Sequence, residues 1–338
     1  MKYIEVKGTP YEMGKQIGNY FKEYIQKEIV DYQEKIKIES VFHTVKQLEE
    51  KLKNQFPDGL EEIYGRADGA CVERDAILLM FFPEVYKRID GCTTVIVKNT
   101  KEQYFFSHNE DDVNYTNENV AFIHYHYDTC DVYGYTVAHK LCGSSFGFNS
   151  HGLVFSSNYV YDTVIDLNNI SRYILVNDVM KSENIDDALK RLKSMKVASA
   201  FSLNILDIKQ NRCINVEKDI KEIYVKEITD RYARANHFII KPDPYTTEIP
   251  KSSAFRDSKS KELTNLIDRD TVTLKDLQNV LGYQTDDYYE STFKDPNKYK
   301  DLSVTVANFN YDGSKNKIEI HDYLDDTDLS FEMNDIVK

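Results

Sequence analysis

The chain has no tryptophan, no C-x-x-C spacing, no long basic run and no long apolar run. Each absence excludes something. No stretch approaches the roughly 20 apolar residues that cross a bilayer, so no membrane partner is expected. The first residues, Met1-Lys2-Tyr3-Ile4-Glu5, lack the hydrophobic region of a secretory signal. The formal charge of −13 argues against a nucleic-acid or anionic-membrane surface. The five cysteines (Cys71, Cys92, Cys130, Cys142, Cys213) are odd in number and unpaired in spacing. They fit free thiols in a reducing cytoplasm better than a disulfide framework or a zinc site. There is no phosphate-cradling glycine loop and no G-x-S-x-G elbow. No linker, repeat or low-complexity tract divides the chain.

What is present is enough for a large core: 338 residues, 41% of them apolar. Met13, Ile17, Phe21, Tyr24, Ile25, Ile29, Tyr32 and Ile36 recur at helical spacing and predict one helix over 10–36. Gly14 and Gly18 sit one turn apart on it. Glycine costs a helix about 1 kcal/mol against alanine, so the pair predicts a close backbone contact. Further helices are expected near 43–55, 60–70 and 73–82. After Gly91 the period becomes that of strands. A hairpin is expected over 92–98 and 103–107, then strands near 119–127, 132–139 and 152–157. Gly147-Phe148-Asn149-Ser150-His151-Gly152 reads as a turn before the last of these. Helices near 171–182 and 185–195 precede strands at 200–208, 213–217, 220–226 and 233–239. Helices near 256–267 and 274–282 lead to a closing hairpin, 303–310 and 316–323. Strands flanked by paired helices, without strict alternation, predict a layered α+β fold rather than a doubly wound sheet.

Gly91-Cys92-Thr93-Thr94 carries the sharpest chemistry. Alone, it reads as a buried strand cysteine. The alternative is a masked N-terminus. Cutting the Gly91–Cys92 bond would give one residue a thiol and an α-amine of pKa near 8, a usable base at neutral pH. Other polar clusters have plain readings beside chemical ones. His108-Asn109-Glu110-Asp111-Asp112 ends the strand paired with that of Cys92. Arg234-Ala235-Asn236-His237-Phe238 lies at a strand end, with Arg234, Asn236 and Phe238 expected on one face. Ser253-x-x-Arg256 reads as a capped helix start. His124-Tyr125-His126 puts two imidazoles on one strand face, but no third ligand has a supporting spacing, so no metal is expected. A papain-like pair with His237 as base lacks that class's surroundings.

In order along the chain, several segments together resemble one family. They are Gly8-Thr9-Pro10-Tyr11-Glu12-Met13-Gly14 with Gln16 and Gly18, Glu62-Ile63-Tyr64-Gly65 with Gly69-Ala70, and Asp90-Gly91-Cys92-Thr93-Thr94. Next come Asn109-Glu110-Asp111, residues 147–152, Ala198-Ser199-Ala200-Phe201 and Ala235-Asn236-His237. The chain resembles the isopenicillin N acyltransferase-like family of N-terminal nucleophile hydrolases, and more distantly bile salt hydrolase. The resemblance implies a four-layer αββα sandwich with a helical N-terminal segment. It implies self-cleavage into an N-terminal piece, 1–91, and a catalytic piece, 92–338, without a cofactor. Cys92 would be the nucleophile, Asp111 would hold its amine, and Asn236 would donate to the oxyanion. Asn158 would be a second contributor, and Thr94 would assist processing. His108, Asn149 and Arg256 are the candidate substrate contacts. Bile salt hydrolases carry arginine where His108 stands, and the penicillin transferase carries arginine where Leu302 stands. The expected activity is linear-amide hydrolysis or acyl transfer, with a small amide or acyl donor and an amine acceptor as partners. Homo-oligomerisation is left open. The alternative is an unprocessed, silent binding or scaffold protein on the same fold.

Overall fold

The computed structural model describes residues 1–82, 84, 91–112, 118–161, 164–242, 249–299 and 302–338; Asp90, quoted above, lies outside them. The chain opens with strand β1 (Lys2–Lys7) and helices α1 (Pro10–Tyr20), α2 (Lys22–Lys35), α3 (Glu39–Gln55), α4 (Pro57–Ala70) and α5 (Arg74–Met80). Strands β2 (Gly91–Lys98), β3 (Tyr104–Asp112), β4 (Val120–His126), β5 (Asp131–Val137), β6 (Phe146–Asn149) and β7 (Leu153–Tyr159) follow. Helices α6 (Arg172–Val179) and α7 (Ile185–Ser194) come next. The strands then resume as β8 (Phe201–Asp207), β9 (Arg212–Lys218), β10 (Ile223–Glu227) and β11 (Arg231–Arg234). Last are α8 (Lys251–Asn265), α9 (Leu274–Leu281), β12 (Val304–Asp312), β13 (Lys317–Asp322), β14 (Thr327–Glu332) and α10 (Met333–Ile336).

The strands form two sheets. The larger has the order β1-β4-β5-β6-β7-β8-β9-β10, the smaller β11-β2-β3-β12-β13-β14. Alternation along each strand sorts side chains into layers. Val95, Val97 and Phe105 face outward onto Leu277, Val280 and Leu281 of α9. Ile96, Phe106 and Phe309 face inward, against Phe122, Phe146 and Phe148 of the larger sheet. That sheet's other face presents Ile123, Tyr125, Phe155 and Ile205 to Ile17, Ile63 and Leu79 of the helices. The result is the four-layer αββα sandwich. Among the described residues no helix is long and apolar enough to cross a membrane.

The glycines of α1 do what their spacing predicts. A Cβ on Gly14 would sit 2.0 Å from Glu62 O, and one on Gly18 2.2 Å from Arg66 O. Gly65 and Gly69 answer from α4, meeting Tyr11 O at 2.0 Å and Lys15 O at 2.2 Å. The two helices cross backbone to backbone.

Elsewhere the boundaries differ from expectation. The helix expected over 10–36 breaks at Phe21 (φ −94, ψ 15) into α1 and α2. Phe21 is buried, so the apolar period runs through the break unmarked. Strand β1 was not anticipated, because its pairing is with β4, more than a hundred residues away. Phe146–Asn149 is a strand, not a turn. Gly147 lies opposite Gly134, and a Cβ on it would meet Tyr133 O at 2.3 Å, so this glycine serves a close approach. β11 ends at Arg234, so Asn236 and His237 leave the strand and the expected alternation does not govern them. Helix α8 starts at Lys251 after Pro250, which makes Ser253 an interior residue and not a cap.

Candidate active site

Gly91 and Cys92 open β2. Antiparallel pairing sets Gly91 opposite Asp111, Cys92 opposite Glu110 and Thr94 opposite His108. Alternation therefore turns Cys92, Thr94, His108 and Glu110 toward the other sheet, and Gly91, Thr93 and Asp111 toward α8 and α9. Cys92 is buried at 3% exposure. Its thiol donates to Glu110 Oε2 at 2.9 Å. Its backbone N–H donates to Asn236 Oδ1 at 3.0 Å. Arg256 Nη1 donates to Cys92 O at 2.6 Å and to Thr93 Oγ1 at 2.9 Å, while its Nη2 donates to Asn236 Oδ1 at 2.7 Å. Both peptide groups of Cys92 are thus gripped by charge-assisted or amide partners from β11's exit and from α8. The early start of α8 puts Ser253 beneath this grip. Its hydroxyl oxygen accepts Asn236 N–H at 2.9 Å.

Asp111 is fully buried beside Gly91. Its Oδ2 would be 3.2 Å from a Cβ placed there. Oδ1 accepts Thr305 Oγ1–H at 2.7 Å, whereas Oδ2 has no hydrogen-bond partner among the described residues. Lys294 Nζ stands 3.9 Å from it. Burial pulls the Lys294 ammonium down to about 8, with Asp111 opposing.

Thr94 is the hub behind the cysteine. Its hydroxyl donates to Asn158 Oδ1 at 3.0 Å and lies 2.8 Å from His108 Nδ1. Asn204 Nδ2 reaches the same group, 3.3 Å from Thr94 Oγ1 and 3.1 Å from Asn158 Oδ1. Asn158 Nδ2 is buried and has no acceptor among the described residues. An amide N–H left unpaired in the core costs about 1–3 kcal/mol, so it is a donor held ready for something. His108 is sealed in, and burial pushes its imidazole down to about 3. Its Nδ1 meets Thr94, while its Nε2 makes no hydrogen bond among the described residues and stands 3.5 Å from Glu110 Oε2.

The sequence-predicted residues therefore converge, with exceptions. Cys92, Gly91, Thr94, His108, Asp111, Asn158, Asn236 and Arg256 lie around one point. Arg256 spends its donors on Cys92, Thr93, Asn236 and Ser252, so it holds the Cys92 backbone instead of offering a free guanidinium. Asn149 is elsewhere. Its amide donates to Met180 O (2.9 Å) and Ser182 O (2.8 Å), and its Oδ1 accepts His151 N–H and Leu153 N–H. It closes the β6–β7 turn. Leu153 begins β7 and Asn158 nearly ends it, about 16 Å on at strand rise, which corrects the substrate-contact expectation for Asn149. Leu302 is exposed. His237 lies 2.9 Å from Ser253 Oγ and 3.7 Å from Asp257 Oδ2, both on α8. Sequence reasoning named Glu110 in its cluster without giving it a role, and passed over Lys294 and Asn204. Glu110 was findable, since counting back from the Asn99–Glu102 turn places it across from Cys92. The others come from distant strands and loops and left no local signal.

A model of the acyl-coenzyme A:6-aminopenicillanic acid acyl-transferase family matches residues 97–323, well over half of the chain. The chain belongs to that family. The match begins just beyond Cys92, so the cysteine's surroundings rest on the geometry given above. A curated relative, the beta-alanyl-dopamine/carcinine hydrolase of Drosophila melanogaster, is 29% identical over 52% of this chain and 54% of its own. The chain spans about half the length of that relative. Among solved structures, a variant of the conjugated bile acid hydrolase of Clostridium perfringens superposes with a TM-score of 0.51 at 14% identity, covering 72% of this chain and 93% of that one. The penicillin V acylase of Agrobacterium tumefaciens gives 0.47 at 12% identity, covering 73% and 88%. With the two stacked sheets, the fold is that of the N-terminal nucleophile hydrolases.

Proposed function

We propose that this chain cuts its own Gly91–Cys92 bond and then uses Cys92, as a new N-terminus, to break a linear amide C–N bond. The observation that carries the reading is the convergence on Cys92: a carboxylate on its thiol, an amide on its N–H and a guanidinium on its carbonyl, all buried. A cysteine that only fills core space has no use for such partners.

In the intact chain the Cys92 nitrogen is an amide and is no base. Glu110 is placed to take the thiol proton instead. Sγ then attacks the Gly91 carbonyl carbon. The Gly91–Cys92 C–N bond breaks, the nitrogen gains a proton, and a thioester links Gly91 to Sγ. Water resolves it to a Gly91 carboxylate and a free thiol. Adjacent, held reactants need no cofactor for this. The products are pieces 1–91 and 92–338, which keep a common core because α1–α5 pack on the larger sheet.

In the mature form the α-amine relays the proton. The thiol proton passes to the amine, Sγ attacks the substrate carbonyl, and the oxyanion draws on the amides of Asn236 and Asn158. The leaving amine takes the proton from the α-ammonium, and an acyl-Cys92 thioester remains. Water completes hydrolysis; an amine completes transfer. Asp111, with one carboxylate oxygen free of hydrogen bonds among the described residues, is the counter-charge for the new ammonium, and Thr94 keeps Asn158 oriented. The named relative makes β-alanyl-dopamine and carcinine the first substrates to try, and the family makes acyl-coenzyme A a donor to try beside them. Acid-quenched mature protein incubated with a substrate should carry one acyl mass on the 92–338 piece, released by hydroxylamine as a thioester is. An acyl mass that resists hydroxylamine, or that maps away from Cys92, contradicts the reading.

A further inference from the structure

Far from Cys92, the larger sheet brings together a ligand set that spacing alone does not reveal. β1 pairs in parallel with β4, so Glu5 stands opposite His124. β4 pairs with β5, so Asp131 stands opposite His126. His124 and His126 are two apart and share a face. The third ligand missing from the His124-Tyr125-His126 spacing is thus supplied by a strand over a hundred residues upstream.

We propose that Glu5, His124 and His126 form a binding site for a divalent transition-metal ion of the zinc type, pinning β1 to β4. One ligand atom from each lies within 4.8 Å of the others. His126 Nε2 is 3.3 Å from Glu5 Oε2, and its Nδ1 is 3.0 Å from Asp131 Oδ1. An imidazole that donates one N–H to a carboxylate and turns its other nitrogen outward is the arrangement that orients metal-binding histidines. His124 is held by a hydroxyl instead. Its Nδ1 meets Tyr3 Oη at 3.3 Å, while its Nε2 is buried and makes no hydrogen bond among the described residues, although Asp131 Oδ1 stands 3.4 Å off. His124 is itself more than nine-tenths buried, stacked on Tyr133 at 3.9 Å. The two imidazole rings lie 3.7 Å apart, a poor arrangement for two cations and a good one for two neutral ligands.

Metal bonds of about 2.0–2.2 Å place tetrahedral ligand atoms roughly 3.4 Å apart. Contracting the set to that size takes side-chain rotations, and Glu5 is exposed and open to them. The ion would displace Lys7, whose Nζ is 3.4 Å from Glu5 Oε2. Two imidazoles and a carboxylate favour zinc, cobalt, nickel or copper over calcium and magnesium. Binding itself does not depend on cleavage. That the ion would bridge two pieces, Glu5 in 1–91 and the histidines in 92–338, rests on the reading given under Proposed function.

The test is titration of untagged, EDTA-stripped protein with Co²⁺ followed by its visible absorption, with Zn²⁺ as competitor. Wild type should bind one equivalent. Zinc at a hundredfold excess over its Kd should raise Tm by about 4 °C. His126→Ala and Glu5→Gln alter exposed or half-buried positions. They should keep the metal-free Tm and weaken binding at least tenfold. Asp131→Asn should cost about tenfold through orientation alone. Uncleaved Cys92→Ala protein should bind as wild type does, which separates this site from self-cleavage. No saturable one-to-one binding overturns the proposal. So does equal affinity in His126→Ala and Glu5→Gln with loss in Cys92→Ala, which would put the ion on the Cys92, His108 and Glu110 cluster instead.

Discussion

At the residue scale the site depends on which groups are left unsatisfied as much as on which are paired. Asn158 Nδ2 and Asp111 Oδ2 are buried polar atoms without hydrogen-bond partners among the described residues, beside a cysteine whose thiol and N–H are engaged. Asn236 donates to Tyr159 O at 2.9 Å through one amide hydrogen and has a second to offer. Replacing Asn236 by alanine should lower kcat of the mature enzyme by about 100- to 1000-fold, with a smaller change in KM, because the donor acts mainly on the developing charge. Steady-state kinetics on the processed fraction checks this, and an unchanged kcat would move the oxyanion hole elsewhere. His108 supplies a different handle. Its imidazole titrates near 3 when folded and near 6.5 when unfolded, so between these values the unfolded chain binds the extra proton. Stability from this group is fully present above pH 6.5 and is lost as pH falls toward 3. In His108→Gln the urea midpoint should fall less between pH 7 and pH 4.5 than in wild type. Parallel pH profiles for the two proteins would contradict the burial argument.

At the element scale the α1–α4 crossing shows a sequence feature read correctly and a consequence of it. Alanine for Gly65 would gain about 1 kcal/mol of helix propensity. It would also place a Cβ 2.0 Å from Tyr11 O, a backbone atom that cannot swing away. Overpacking of that kind costs about 1–3 kcal/mol, so the clash wins and Gly65→Ala should melt lower by chemical denaturation. A more stable Gly65→Ala would show that the helices can part freely. The Glu62 of the same motif pairs with buried Arg66 at 2.7 Å, and Arg66 in turn caps Lys140 O at 2.8 Å. The glycine pair was legible because its one-turn spacing lies within a single helix. The β2–β3 hairpin was legible too: a short turn fixes its register, and register places Glu110 on Cys92. Strand β1, the strand character of Phe146–Asn149, the true start of α8 and the distant placement of Asn149 were not. Each is decided by tertiary pairing: β1 with β4, Gly147 with Gly134, Ser253 with Asn236, Asn149 with the end of α6. Nothing within a few residues records those partners.

At the scale of the whole molecule, two sheets face each other so that the start of β2, the end of β3, the end of β7 and the segment after β11 meet at one edge. The family match covers residues 97–323 and so begins beyond the Gly91–Cys92 bond. That bond joins Gly91 to Cys92, whose thiol donates to Glu110 Oε2. Denaturing mass spectrometry of freshly purified protein, under reducing conditions at neutral pH, tests the claim directly. Wild type should resolve into pieces of 91 and 247 residues, with the larger beginning at Cys92, while Cys92→Ala stays whole. Wild-type protein that persists at its full 338 residues would contradict the account.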